Sequence, residues 1–153
     1  MKIRLGKIND SEEISNLLIT LAERFIVSLF NDAGRENMLN SMTPDAIESF
    51  FHHGFRYHVG EAGGEIVGVI GMRDDSHLFH LFVDERYQGK GYSSDLWRVG
   101  QKACMDSGKN PGYFTVNSSL NAQDVYKHWG FRPTGGIREG GGVIDLPMKL
   151  EAI

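Results

Sequence analysis

Cysteine is nearly absent from this sequence, which has Cys104 alone among its 153 residues. A single cysteine cannot form a disulfide within the chain, so a reducing compartment is the natural setting. No apolar run reaches the ~18 residues that a membrane-spanning helix needs, and residues 1–4 lack the apolar core of a secretory signal. These absences favour a cytoplasmic protein without a membrane partner.

An excess of positive charge is missing too. The 16 Lys and Arg residues are outnumbered by 20 Asp and Glu residues, which gives a net charge of −4 and argues against a surface that binds nucleic acid. Metal-binding patterns are also lacking, because His52 and His53 are adjacent instead of four residues apart, and Cys104 has no second cysteine nearby. The sequence therefore predicts neither a nucleic-acid partner nor a metal site.

Residues 77–91 are the most informative stretch of the chain. An apolar run that ends at Val83 is followed by a turn with Gly89 and Gly91, and helical spacing of apolar residues begins near Leu96. The glycines allow a tight turn and let a ligand approach the backbone. The free N–H groups and the dipole at a helix start favour an anion. The sequence therefore predicts an anion site at this turn.

Two common phosphate-binding motifs do not fit this turn. The loop G-x-x-x-x-G-K-[ST] is absent, and the dinucleotide fingerprint G-x-G-x-x-G fails because Ser94 stands where the third glycine is required. The motif present is Arg86-x-x-Gly89-x-Gly91. It resembles the R/Q-x-x-G-x-G/A signature of the GNAT acetyltransferases, which lies between a strand and a helix and holds the pyrophosphate of acetyl-CoA. An ordinary glycine turn is the alternative interpretation.

The periodicity of the whole chain predicts strands and helices in the order β-α-α-β-β-β-α-β-α-β-β. The predicted strands cover residues 2–8, 55–60, 65–72, 77–83, 113–116, a segment opened by Phe131, and 143–150; the predicted helices run from the cap residues 9–11 to about 29, from Thr43 to Gly54, over 92–106 and over 122–129. Residues 31–42 show no clear period. The last strand is predicted at a hairpin edge, because Pro147 is tolerable there. We expect one α/β domain over residues 1–153, with a mixed sheet and helices on both faces.

A second motif makes the resemblance broader. The segment Asn121-Ala122-x-x-x-Tyr126-x-x-x-Gly130-Phe131 resembles the family signature N-x-x-A-x-x-x-Y-x-x-x-G-F. The two motifs occur in the family's order, about thirty residues apart, and each has the expected strand or helix beside it. The resemblance implies the GNAT fold over the whole chain, with a mixed, mostly antiparallel central sheet.

The resemblance also implies how acetyl-CoA is held. Backbone amides over 88–91, with Ser93, would bind the pyrophosphate, and the backbone of Leu81 and Val83 would run antiparallel to the pantetheine arm. Arg86 and Lys90 would contact phosphates, although solvated surface side chains are the alternative. Asn121 would contact the pantetheine and also cap the helix that follows. The implied cofactor residues are Leu81, Val83, Arg86, Gln88, Gly89, Lys90, Gly91, Ser93, Asn117, Asn121 and Tyr126.

Two catalytic residues are implied as well. In many family members the motif tyrosine, here Tyr126, protonates the departing sulfur, and a neutral phenol with a pKa near ~10 suits that task. His77 lies six residues before Val83, where several members place a catalytic Glu or His, and could accept the amine proton directly or through water. The alternatives are a core tyrosine and a solvated histidine. His80 is expected on the opposite face of the strand, packed under a helix.

The function implied is direct transfer of the acetyl group of acetyl-CoA to a primary amine. The amine is expected to enter between residues 25–55 and the loop 134–143, and nothing in the sequence identifies it. A domain that binds CoA as a sensor and transfers nothing is a second hypothesis. A nucleotide-binding module that uses the same turn is a third. The predicted edge strand Val143–Leu150 could form the interface of a homodimer.

Overall fold

A single mixed sheet organises the computed structural model, which describes residues 1–152. Its strands are β1 (Lys2–Leu5), β2 (Arg56–Ala62), β3 (Glu65–Arg73), β4 (His77–Val83), β5 (Tyr113–Ser118), β6 (Arg132–Pro133), β7 (Arg138–Gly140) and β8 (Val143–Glu151), and its α-helices are α1 (Ser11–Phe25), α2 (Asp32–Asn40), α3 (Pro44–His52), α4 (Tyr92–Asp106) and α5 (Gln123–His128). The strand order is β1-β2-β3-β4-β5-β8-β6, and β7 pairs with β8. The β4–β5 pair is parallel and the other pairs are antiparallel. The predicted mixed, mostly antiparallel sheet is confirmed.

Helices cover both faces of this sheet. On one face, Leu96 and Trp97 of α4 pack with Ile70 of β3 in one buried cluster. On the other face, the apolar sides of α1 and α3 meet Tyr57 and Val59 of β2 in a second cluster. The 3.6-residue spacing of apolar residues in α1 and α4 explains why each helix buries one side. The expectation of helices on both faces is confirmed.

The helix starts and ends agree with the sequence signals in part. Thr43 caps α3, because its hydroxyl accepts a hydrogen bond from the Ala46 amide at 3.2 Å, and Pro44 takes the first helical position. Helix α1 ends at Phe25 and not near residue 29, and a short 3₁₀ turn follows over Val27–Leu29. Helix α2 was not predicted, since Gly34 is its only fully buried residue and its apolar residues have no helical period.

Strands β4 and β5 separate soon after they pair. Their ladder is limited to His77–Thr115 and Leu78–Val116. The Asp84 amide donates to the Val67 carbonyl of β3 at 2.7 Å. Because backbone groups along a strand alternate between its two neighbours, those of residues 81 and 83 point away from β3. The gap between the strands is therefore bordered by backbone groups of β4 that take no part in a strand ladder.

A β-bulge in β4 corrects one prediction. Met72 is paired with Leu78 and Gly71 with His80, so Phe79 is an extra residue in the ladder. An extra residue reverses the alternation of side chains. His77 and His80 consequently lie on the same face of the sheet, and the prediction of opposite faces is wrong. The prediction that His80 packs under a helix is confirmed by Phe50 of α3, whose ring centroid lies 6.2 Å from that of His80.

Strand β8 corrects a second prediction. It is not an edge strand, because it pairs with β5 along one side and with β6 and β7 along the other. Pro147 is tolerated in this position for a local reason. Its carbonyl accepts from the Thr134 amide at 3.0 Å, and the N–H and carbonyl of one strand residue face the same side. The N–H that proline lacks would therefore face the end of β6, so the ladder with β5 loses no hydrogen bond. The hypothesis of a homodimer through this strand required an unpaired edge, and β8 does not provide one.

Candidate active site

The glycine turn has the conformation that the sequence predicts. Gly89 and Gly91 have φ angles of 76° and 82°, and Gly91 is the N-cap of α4. The amide of Asp95 makes the first helical bond, to the Gly91 carbonyl at 3.1 Å, so the amides of residues 92–94 have no acceptor within the helix. No atom lies within 4 Å of a Cβ built at either glycine. The turn therefore presents backbone amides to open space.

A concavity of about 430 Å³ lies beside this turn. Gln88, Ser93 and the two glycines form one side, and the other side consists of α5 residues that include His128, with Trp129 directly after the helix. The Gln88 side-chain amide donates to the Val83 carbonyl at 2.9 Å, which fixes the turn against the end of β4. The space between α4 and α5 thus starts where β4 ends.

The two basic residues of the motif differ in their surroundings. The Arg86 guanidinium is paired with Asp84 at 3.0 Å and with Glu65 at 3.1 Å, and Arg86 lines a separate concavity against α1. Its hydrogen bond holds the pKa of the Asp84 carboxyl below its usual range. The Lys90 ammonium lies 5.6 Å from the centroid of the Tyr87 ring, a residue that borders the turn concavity. The Arg86 guanidinium lies at the same distance, 5.6 Å, from that ring, and neither basic residue lines the concavity itself.

A second cavity, of about 260 Å³, occupies the gap between β4 and β5. Leu81 and Val116 line it within the gap, together with Tyr126 of α5. The cavity continues beneath α2, where Met38 and the β8 residue Asp145 line it. The diverging strands and the helix α2 therefore enclose one continuous space.

Tyr126 is the most buried of the hydroxyl residues that line this cavity. Its side chain is buried, and its ring packs edge-on against Trp129 and Phe131 at centroid distances of 5.7 and 5.6 Å. Burial raises the pKa of the hydroxyl above its ordinary value, because the charged phenolate is poorly solvated there. The phenol consequently keeps its proton at neutral pH.

Two neutral imidazoles line the same cavity. His77 Nδ1 lies 2.7 Å from the Thr115 hydroxyl, and His80 Nδ1 lies 2.9 Å from the Tyr57 hydroxyl. Burial, with a smaller effect of Arg73, lowers the pKa of His77 to about 4. Burial alone lowers the pKa of His80 to about 3. Both rings are therefore uncharged at pH 7, and His77 is not the solvated residue of the alternative interpretation.

The two asparagines occupy different surroundings. Asn117 is exposed at the end of β5 and lines the cavity. Asn121 does not cap α5, because the helix begins at Gln123 with Ala122 as its N-cap, and the prediction of a capping role is wrong. The Asn121 amide instead donates to the Phe25 carbonyl at 2.7 Å. It thereby joins the start of α5 to the end of α1.

Sequence reasoning missed several residues of this site. Thr115 has no motif of its own, and its partnership with His77 depends on the short β4–β5 ladder. Met38 and Asn37 belong to the unpredicted α2, and the Asn37 side chain donates to the Gly141 carbonyl at 2.7 Å, so the loop before β8 is tied to that helix. The glycine run at residues 140–142 was the only available signal for this contact.

No three His, Cys, Asp or Glu side chains of residues 1–152 gather in a way that could hold a metal ion. Within the same residues, no helix combines the length and the apolar character that a membrane crossing requires.

Comparison with known proteins gives consistent matches. The family model of the "Acetyltransferase (GNAT) domain" matches residues 26–152. N-acetyltransferase family 8 member 2 of Rattus norvegicus is 27% identical over an alignment of 101 positions, and this alignment covers 60% of this chain and 45% of that protein. The chain thus spans less than half the length of this curated relative.

Solved structures share the fold at low sequence identity. The PaiA N-acetyltransferase of Thermoplasma acidophilum, solved in complex with coenzyme A, superposes with a TM-score of 0.78 at 14% identity and covers 99% of both chains. YncA of Salmonella typhimurium, solved with its cofactor acetyl-CoA, gives a TM-score of 0.68 at 20% identity over 100% of this chain and 94% of its own.

Proposed function

Because this chain belongs to the GNAT acetyltransferases, we propose that it transfers the acetyl group of acetyl-CoA directly to a primary amine in the cytoplasm. The observation that carries the proposal is that two spaces adjoin along β4 and α5. Val83 and Val125 line the concavity of the open turn amides, and their chain neighbours Phe82 and the buried Tyr126 line the gap between β4 and β5. Two structures of the same fold were solved with coenzyme A or acetyl-CoA. A cofactor bound in this gap would lie between the turn and the space beneath α2.

The residues around the turn suit the charged end of this cofactor. The amides over 88–91, with Ser93, would hold the pyrophosphate, because the turn opens on the concavity and leads into the unpaired helix-start amides of residues 92–94. The Gln88 amide also donates to the Glu85 carbonyl at 3.4 Å. Lys90 would add positive charge. Arg86 is already paired with two carboxylates, so we assign it a structural role and leave the phosphates to the backbone.

The pantetheine arm would lie against β4. The backbone groups of Leu81 and Val83 point into the gap and are the natural partners for its amides. The Gln88 side chain already donates to the Val83 carbonyl. The second lone pair of that carbonyl would accept a hydrogen bond from the pantetheine arm. Asn117 lines the gap, and the side-chain oxygen of Asn121 is left for the cofactor because its nitrogen bonds to Phe25.

Two proton transfers complete the reaction. When bound, acetyl-CoA supplies the thioester carbonyl carbon that the amine nitrogen attacks, and the C–S bond breaks as the C–N bond forms. Tyr126 donates its phenolic proton to the departing sulfur, and its raised pKa keeps that proton available. His77 accepts a proton from the nitrogen through Nε2, directly or through water, while Nδ1 stays with Thr115. Since its pKa is about 4, His77 is a weak base and acts once the attacking nitrogen has become acidic.

The proposal is tested first by calorimetric titration with acetyl-CoA. Gly91→Glu places a carboxylate in the concavity, and a matched control, Gly108→Glu, makes the same change at a positive-φ glycine beyond the other end of α4. We expect wild type and control to bind equally, and Gly91→Glu to bind at least about tenfold more weakly. Equal binding by all three proteins would remove the cofactor from this turn.

A second function, a CoA sensor without transfer, rests on the weakness of His77 as a base. Release of free thiol from acetyl-CoA in the presence of amines separates the two functions. Turnover supports the transferase, whereas tight binding without turnover for any amine supports the sensor.

A further inference from the structure

We infer that the acceptor is a primary amine that carries one apolar group of about phenyl size, and not a polyamine. The inference rests on the proposed function and adds the class of substrate to it. It follows from the walls of the cavity beyond Tyr126, from their charge and from their size.

The cavity walls beneath α2 are apolar on several sides. Phe30 lies before this helix, Met38 on it and Met42 after it, and all three line the cavity. Val143 and Ile144 of β8 line it from the side of the sheet. Unbranched methionine side chains adapt to an inserted ring and make favourable contacts with it. This space therefore suits an apolar group.

The bulge in β4 adds an aromatic surface to this space. Phe79 lines the cavity and is supported from behind by Phe50 and Phe55, at centroid distances of 5.0 and 5.2 Å. Phe50 and Phe55 also stack on each other, with their centroids 4.7 Å apart. A ring supported in this way is rigid, so an apolar partner loses little conformational freedom in the protein when it binds.

The charges of the cavity argue against a polyamine. Asp145 is the sole carboxylate among the described residues that line it, and its oxygen already accepts from Arg138 Nε at 2.6 Å. His77 and His80 are neutral, for the reasons given above. A second ammonium group would lose its water here without gaining an unpaired anion, and that loss is costly.

The size of the cavity limits the acceptor as well. Its volume of about 260 Å³ includes the part lined by Tyr126, and pockets for drug-sized ligands begin at about 300 Å³. The space left for the acceptor is therefore smaller than such pockets, which suits one small apolar group such as a phenyl ring. An aryl-alkyl amine and the N-terminal residue of a peptide that starts with phenylalanine offer the same chemistry.

The test compares three acceptors at saturating acetyl-CoA. They are 2-phenylethylamine, spermidine and the tetrapeptide Phe-Gly-Ser-Gly, and thiol release gives kcat/KM for each. Burial of one phenyl group is worth roughly tenfold to a hundredfold, so we expect 2-phenylethylamine or the peptide to exceed spermidine by at least about tenfold. Preference for the peptide over 2-phenylethylamine would identify a peptide N-terminus as the source and would support the inference.

Met38→Glu sharpens the test, because it adds an unpaired carboxylate to the cavity wall. We expect the preference for the apolar amine over spermidine to fall at least about tenfold in this variant, whereas Met105→Glu, at an exposed position of α4, leaves it unchanged. Spermidine turnover equal to or above that of 2-phenylethylamine in the wild type overturns the inference but leaves the transferase in place. Cofactor binding with no turnover of any amine overturns both.

Discussion

The role proposed for Tyr126 depends on one hydroxyl group, which can be removed while the packing of the ring is kept. In Tyr126→Phe we expect kcat to fall by about 10²–10³, because the departing sulfur loses its acid. The affinity for acetyl-CoA should change less than about threefold, since the ring still packs between Trp129 and Phe131. Steady-state kinetics and calorimetry measure the two effects. Tyr113→Phe, at the far end of β5, is the control, and an unchanged kcat in Tyr126→Phe would exclude the phenol as the acid.

For single residues, sequence motifs identified Tyr126 but could not identify residues whose role depends on a contact with a distant part of the chain. Tyr126 was found because it has a fixed place in a signature, and its assigned role stays a prediction. The bond between His77 and Thr115 could not be found, since it joins strands that pair over two residues only. Asn121 was wrongly assigned as a cap because a cap depends on the first helical residue, which is the least certain feature of a sequence-based prediction.

Among the secondary-structure elements, the contact between α2 and the turn before β8 should control access of the acceptor. A Cβ built at Gly34 would overlap the carbonyl oxygen of Gly142. Gly34→Ala must therefore push the helix and the turn apart. We expect the free energy of unfolding to fall by about 1–3 kcal/mol and the KM for the amine to rise, with the affinity for acetyl-CoA unchanged.

Chemical denaturation and amine kinetics check this expectation. Gly140→Ala is a matched control at the end of β7, next to the same turn, because no atom lies within 4 Å of a Cβ at that position and its φ is not positive. If both variants behave like the wild type, α2 and the turn do not restrict the amine.

The elements themselves were predictable to different degrees. The strand, turn and helix over 77–106 follow from strong apolar periodicity, and the structure confirms them. Helix α2 depends on its Asn31 cap and on tertiary contacts, and neither produces a helical period of apolar residues in the sequence. The bulge at Phe79 and the interior position of β8 depend on how strands pair. Propensity does not encode that pairing, so the face of His80 and the edge of the sheet were both predicted wrongly.

For the molecule as a whole, the arrangement of helices on both faces was predictable, because α1 and α4 each have a single apolar side. The cavity was not predictable in the same way. It forms where the two buried clusters meet at the gap between β4 and β5, and its walls come from segments far apart in sequence. This arrangement also buries His77 and His80, which are 8% and 4% exposed. Their burial has a consequence for the stability of the fold.

The stability of the fold should fall as the pH is lowered from 7 to 5. His77 and His80 have folded-state pKa values of about 4 and about 3, whereas an unfolded histidine titrates near ~6.5. The unfolded chain therefore binds more protons in this window, so stability is complete above pH 6.5 and decreases as the pH falls toward 4. Each histidine should remove about 2 kcal/mol of unfolding free energy by pH 5. Urea denaturation at both pH values measures the loss.

A variant separates this effect from general acid sensitivity. His77→Gln abolishes one titration and keeps a polar group near Thr115, so it should recover about half of the loss that the pair causes. His128→Gln, at an exposed position of α5, should behave like the wild type. An equal loss in His77→Gln and wild type would mean that His77 takes up its proton in the folded protein without penalty. It would then be hydrated, and it could serve as a stronger base than its burial implies.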